Sequence, residues 1–154
     1  MSEIIFDNQI ASFFPVDNNS EKTFYFKYDN LPTFTQITFD LAITAFNPNI
    51  PYQLHLTINK NNFNQGSQII NMYLQTNPMT IKTDPNDALD GGLNSANFSL
   101  TTPEFNVTNG THVYLAKLEL LDMDGRKLNS NKTWFTTGQK DPNPPTQLKE
   151  GLNQ

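Results

Sequence analysis

The sequence predicts an all-β protein, an antiparallel immunoglobulin-like β-sandwich of about 7–9 strands with a C-terminal linker. Apolar residues recur with period two, turns rich in Asn, Pro and Gly separate these stretches, and helical spacing is nearly absent. A chain of 154 residues can form one domain that buries roughly 70% of its extended-chain surface. We therefore expect a sandwich domain over residues 1–137 and a proline-rich linker or tail over residues 138–154.

The predicted strands are segments in which apolar and polar residues alternate, a pattern typical of a sheet with one face on the core and one in water. Pro103 interrupts the pattern, because a residue without an N–H is unsuited to a central strand. In chain order the expected strands cover residues 23–28, 36–44, 53–58, 70–75, 98–100, 105–107, 112–121 and 133–136.

The best-defined part of the prediction is a hairpin near the C-terminus. A strand from His112 to Leu121 precedes the turn Asp122-Met123-Asp124-Gly125, where Gly accepts a positive φ without a Cβ clash. One face of this strand is apolar throughout and the other, which begins with Val113, is apolar in part, so a second sheet or a partner could cover it. In the closing strand we expect Trp134 to fill the core.

Composition limits the classes of partner. Charged residues make up 16% of the chain, the net charge is −5, and the ten basic residues are scattered. A nucleic-acid site or an anionic membrane surface is therefore not expected. No apolar run approaches the roughly 20 residues of a membrane span, and the chain start lacks the pattern of a secretory signal.

Residues able to carry chemistry are few. There is no cysteine, and the two histidines, His55 and His112, fall in predicted strands without an acid at motif spacing. We expect neither an enzyme nor a cofactor, although an enzyme built from carboxylates alone remains open. We expect no metal site either; Asp84, Asp87 and Asp90 are weak calcium candidates, because their spacing departs from the helix-loop-helix pattern.

Three tyrosines are candidates for a binding surface. Tyr25, Tyr52 and Tyr73 fall on the polar side of the alternation and could present their rings to a sugar or a protein. The alternative is that they stabilise the sheet through cross-strand pairs.

The segment 110–125, continued to Trp134 and Phe135, resembles the closing hairpin in the N-terminal domain of phage baseplate upper proteins. The resemblance covers about a quarter of the chain, and residues 4–30 have no counterpart in it. It implies a sandwich that docks onto the tail hub and leads, through a linker, to the host-recognition apparatus of a siphophage of Gram-positive bacteria. Bacterial immunoglobulin-like and fibronectin-like repeats have a similar Asp-x-Asp-Gly turn.

These features predict that the chain is a non-enzymatic component of a phage tail or baseplate. We expect it to be made in the host cytoplasm and assembled as a homo-oligomer in the virion. Its expected partners are other virion proteins or cell-surface proteins, with cell-wall carbohydrate as a further candidate. The alternative is a module on the bacterial cell surface that binds carbohydrate or protein.

Overall fold

A computed structural model describes residues 6–76 and 92–143, which form a β-sandwich. One 3₁₀ turn, Gln65–Ser67, interrupts the described strands. The described residues form ten strands: β1 Gln9–Val16, β2 Tyr25–Tyr28, β3 Thr33–Thr35, β4 Thr38–Phe46, β5 Tyr52–Lys60, β6 Gln68–Thr76, β7 Asn94–Thr101, β8 Phe105–Val107, β9 His112–Leu121 and β10 Lys127–Gln139.

The strands lie in two main sheets and one small one. The first sheet has the order β1-β4-β7, the second the order β2-β10-β9-β5-β6, and β3 pairs with β8. All pairings are antiparallel except that of β2 with β10, which is parallel. The predicted all-β sandwich is therefore confirmed, and its strand order is of the immunoglobulin type.

The core lies between the two main sheets, and its centre is a set of aromatic rings. Phe135 on β10 stacks on Tyr114 of β9 at a centroid distance of 4.6 Å, and it meets the edge of Phe39 on β4 at 6.0 Å. Phe39 in turn stacks on Phe13 of β1 at 5.0 Å. Because these contacts join strands of both sheets, they fix how the sheets face each other.

One side of the sandwich is closed by asparagine side chains. The backbone N–H of Ile10 on β1 donates to Asn129 Oδ1 over 2.8 Å, and Asn131 Nδ2 donates to the Ile10 carbonyl over 3.1 Å. These bonds use backbone groups of β1 that face β10 of the other sheet. The side chains of Asn129 and Asn131 therefore connect the two sheets at a place where no backbone ladder connects them.

The hairpin turn after β9 has the predicted form. Gly125 has a φ of 83°, and the Asp122 carboxylate accepts the N–H groups of Asp124 and Arg126. The N–H of Arg126, with smaller contributions from Asp124 and the Arg126 guanidinium, lowers the pKa of Asp122 from its usual value. The Asp122 carboxylate therefore stabilises the turn.

Strand β1 was missed by the periodicity argument for two physical reasons. A bulge between Ile10 and Ser12 shifts the alternation by one residue. Pro15 lies within the strand, and it is tolerated there because β1 is at the edge of its sheet. Strand β3 was missed as well, because Phe34 is its only apolar residue and a single apolar residue shows no alternation.

The predicted domain end at residue 137 falls inside β10, which continues to Gln139. The N–H of Lys140 also donates to the Tyr28 carbonyl over 2.7 Å, so backbone pairing with β2 extends past the strand. Of the predicted linker or tail 138–154, residues 144–154 lie outside the described residues.

The alternation along β10 predicts opposite responses at two neighbouring residues. Phe135→Ala should lower the free energy of unfolding by about 3–5 kcal/mol, because it removes a fully buried ring. Trp134→Ala should lower it by about 1 kcal/mol or less, because the side chain is exposed. Urea unfolding of both variants measures this; equal losses would contradict the orientation of β10.

The backbone of β4 makes a second prediction. Ala45 has a φ of 54°, at the bulge where its N–H donates to Ser95 Oγ. Ala45→Gly should raise the free energy of unfolding by about 1 kcal/mol, because it relieves the left-handed strain. Ala42→Gly on the same strand is the control and should lower it by about 0.5–1 kcal/mol. Destabilisation by both substitutions in thermal unfolding would refute the strain.

Candidate functional site

The candidate site lies on the outer face, which we define as the side of the five-stranded sheet turned away from the core. Trp134 on β10 points to this side and is 55% exposed. The expectation that Trp134 fills the core was wrong. Phe135 occupies the core, and period two then turns its neighbour outward.

Phe63 and Trp134 both line a cleft on the outer face. Phe63 lies on the loop between β5 and β6 and is 68% exposed. Val113 and Leu115 of β9 lie in the floor, and Asn59 lines the cleft from β5. The volume of this cleft, which we call the Trp134 cleft, is about 170 Å³. The described residues that line it include no carboxylate and no ammonium group, and their side chains are aromatic, aliphatic and amide.

The loop that carries Phe63 is fastened to β9. Asn61, with a φ of 66°, donates its N–H to the Val113 carbonyl over 2.7 Å and accepts the Val113 N–H on Oδ1 over 3.2 Å. Its Nδ2 faces His112 Nδ1 at 3.0 Å, while His112 Nε2 lies 2.8 Å from the Asn109 carbonyl. Both ring nitrogens of His112 are thereby occupied, so this histidine has a structural role.

Polar bonds at the base of the same loop fix its shape. Ser67 Oγ lies 2.7 Å from the Asn62 carbonyl and 2.8 Å from that of Asn64. Asn59 Nδ2 donates to the Asn64 carbonyl and to Ser67 Oγ. Since these bonds order the loop in the free protein, the cleft is formed before any ligand binds.

Two lysines lie beside the Trp134 cleft. Lys132 precedes Trp134 by two residues on β10 and is paired directly with Lys117 on β9. Like charges in a directly opposite cross-strand pair destabilise a sheet. Lys117 Nζ is 3.8 Å from Glu119 Oε2, whereas Lys132 takes part in none of the ion pairs among the described residues.

His55 forms a second cluster on the outer face. Its ring stacks on that of Tyr73 at 4.0 Å with an interplanar angle of 2°. His55 Nδ1 lies 3.1 Å from Glu119 Oε1, and Nε2 lies 2.6 Å from Asn71 Oδ1. Sequence reasoning missed this acid, because Glu119 meets His55 only through the register of β5 and β9.

The three predicted binding tyrosines have different environments and do not form one surface. Tyr73 on the outer face is 61% exposed, and Tyr25 at the opposite edge of the sheet is also exposed. Tyr52 is buried at 4% exposure, so its prediction was wrong. It begins β5 on the core side, and its hydroxyl accepts the Asn47 N–H over 2.9 Å.

Tyr25 lines a separate groove near the start of β2, together with Tyr28 and Lys27. Gly138 of the neighbouring strand makes this position possible, because a Cβ there would lie 2.8 Å from the Tyr25 hydroxyl. The Lys27 ammonium lies 5.4 Å from the centre of the Tyr25 ring. The Lys27 ammonium therefore covers one face of the Tyr25 ring.

No model of a protein family matches the sequence, and no curated protein matches it either. The site must therefore be interpreted from its own chemistry.

The calcium candidates Asp84, Asp87 and Asp90 lie outside the described residues. Within residues 6–76 and 92–143, no group of three His, Cys, Asp or Glu side chains is placed to hold a metal ion. In the same part of the chain, none of the helices has the length and apolar character needed to cross a membrane.

Two buried tyrosines, Tyr52 and Tyr114, and the partly buried Tyr28 predict how stability depends on pH. Desolvation by burial raises the pKa of Tyr28, Tyr52 and Tyr114 above 10.0, outweighing the hydrogen bonds that lower it. As the pH rises above about 10, the unfolded chain loses these protons first. The free energy of unfolding should therefore begin to fall near pH 10. It should continue to fall until the pH has passed the higher pKa values of the folded protein.

Urea unfolding between pH 8 and pH 11.5 tests this expectation, with the variant Y28F/Y52F/Y114F as the comparison. The variant should be less stable at pH 8, because three hydroxyl hydrogen bonds are lost. Its stability should decline less steeply above pH 10. An equally steep decline would show that these hydroxyls are not the cause.

Proposed function

We propose that this chain is a non-catalytic docking and adhesion domain that binds its partner through the outer face of the five-stranded sheet. The observation that carries the proposal is the Trp134 cleft. It has two exposed aromatic rings, an apolar floor and a loop ordered in advance. Exposed aromatic residues beside apolar surface are typical of binding sites.

The proposed setting is the tail or baseplate of a phage, where the domain joins tail proteins to the host-recognition apparatus. Support comes from the resemblance of the closing hairpin, which is the pair β9 and β10, to baseplate upper proteins. The same two strands carry Val113 and Trp134, so the resembling segment also supplies part of the cleft. A repeated virion structure would place several copies of the domain in one assembly.

The second candidate is a module on the bacterial cell surface that binds carbohydrate. The specific observation in its favour is the combination of aromatic rings and asparagine amides in one uncharged cleft. Amides both donate and accept hydrogen bonds, as sugar hydroxyls require.

A retention assay with the immobilised chain tests the proposal against purified tail proteins and against isolated Gram-positive cell walls. Trp134→Ala should abolish retention, because it removes the largest exposed ring of the cleft. Phe34→Ala is the control: this ring on β3 is 68% exposed but outside the cleft, and its loss should leave retention unchanged.

Retention by tail proteins would support the virion role, and retention by cell walls would support the surface module. Size-exclusion chromatography with light scattering on the chain mixed with tail proteins would show the stoichiometry of the complex. Equal retention of wild type and both variants, or no retention by either partner, would refute the proposed function.

A further inference from the structure

The Trp134 cleft and the two neighbouring lysines differ in chemistry but share one surface. Lys132 and Trp134 are on the same face of β10, and strand geometry places residues two apart at roughly 7 Å. On β9, Lys117 likewise lies two residues from Leu115 on the same face, and Leu115 is the cross-strand partner of Trp134. A ligand seated on the indole therefore has two ammonium groups within reach.

The cleft itself suits a sugar ring. Aromatic faces carry negative partial charge, so they attract the polarised C–H groups on the apolar face of a pyranose. No described residue forms a hydrogen bond with the side-chain amide of Asn62, with Asn59 Oδ1 or with Trp134 Nε1, although Asn59 Nδ2 and the Asn62 backbone N–H form hydrogen bonds within the loop. These groups are available to hydroxyls around the edge of a ring.

The lysine pair suits an anion. Lys117 and Lys132 are cross-strand partners whose charges repel, and Glu119 Oε2, 3.8 Å from Lys117 Nζ, offsets only part of that repulsion. Lys132 takes part in none of the ion pairs among the described residues, so an external anion beside it would add attraction. The protein as a whole has a net charge of −5, so this pair is a local exception to its charge. Charge complementarity therefore favours a negatively charged group beside the cleft.

We infer that the Trp134 cleft and the pair Lys117–Lys132 together bind a saccharide that carries a phosphate or carboxylate group. The sugar ring would lie between Trp134 and Phe63, with the anion on the two ammonium groups. The inference rests on the proposed function and specifies the ligand class for that surface.

A second copy of the chain is a poorer occupant of the same surface. In a two-fold symmetric contact, a surface patch meets its own copy. The contact would then bring four lysines from the two copies together, with the repulsion that this implies. The anionic sugar has no such conflict.

Four probes separate the contribution of the sugar ring from that of the anion by isothermal titration calorimetry with the full chain. Chitotetraose has sugar rings and no charge, an oligomer of glycerol phosphate has charge and no ring, and the same oligomer substituted with glucose has both. A hyaluronan tetrasaccharide supplies carboxylate in place of phosphate. Charged sugars should bind roughly tenfold or more tightly than either single-feature probe, and added salt should weaken them.

Variants assign the contributions to residues. Trp134→Ala should weaken the glucose-substituted oligomer roughly tenfold or more, by analogy with base stacking on aromatic rings. Phe34→Ala removes a comparably exposed ring on β3, outside the cleft, and should change nothing. Lys132→Gln and Lys117→Gln should each weaken charged probes about two- to fivefold without affecting chitotetraose. Lys140→Gln, at an exposed lysine elsewhere, is the charge control.

Tighter binding of either charged sugar, lost with Trp134 and reduced with the lysines, would support the inference and identify phosphate or carboxylate as the anion. Equal affinity for chitotetraose and the charged sugars would overturn the role of the lysines. Absence of binding to all four probes, while tail proteins or cell walls are retained through Trp134, would overturn the inference and leave the proposed function standing.

Discussion

The orientation of β10 depends on the burial of Phe135, and the outer face depends on that orientation. Phe135 stacks on Tyr114 and meets Phe39 across the sandwich. Burying a ring of this size stabilises the fold by a few kcal/mol. With Phe135 inside, Trp134 can only point outward. The packing of the core thus determines which ring is available to a partner.

The outer face combines features that do little for stability. An exposed tryptophan and an exposed phenylalanine leave apolar area in water, and opposed lysines repel each other. The loop that carries Phe63 is nevertheless held by Asn61, Ser67 and His112. An ordered loop that exposes a hydrophobic ring gives no gain to the fold, and this combination is the physical reason to interpret the cleft as a binding site.

Much of the fold follows from the sequence because period two is strong in the central strands. The bounds of β9 and β8 agree with prediction, and the turn at Asp122 was recognised from its residue types. β1 was not recognised, since its bulge and Pro15 hide the alternation. The alternation of residues assigns each side chain to one of the two faces of a strand. It does not show which face is buried when both faces carry aromatic residues. This ambiguity explains the wrong prediction for Trp134. For Tyr52 the pattern was sufficient, because period two puts it on the same face as Leu54 and Leu56, which is the buried one.

The site could be predicted only in part, because it is assembled from distant segments. Phe63 lies in a loop without periodicity, and nothing in its neighbourhood marks it as part of a cleft. The pairing of Lys117 with Lys132 depends on the register of β9 and β10, which includes a bulge near Lys127. The contact of His55 with Glu119 likewise requires the alignment of β5 with β9. Register is set by packing across the whole sheet and is not visible in any one segment.

The orientation of β10 has a direct spectroscopic test, because Trp134 is the only tryptophan in the chain. Quenching of its fluorescence by acrylamide reports how far the indole is accessible to solvent. The native protein should be quenched nearly as efficiently as the urea-unfolded chain, with an emission maximum close to that of the unfolded chain. A blue-shifted native emission that resists quenching would place Trp134 in the core and contradict the account.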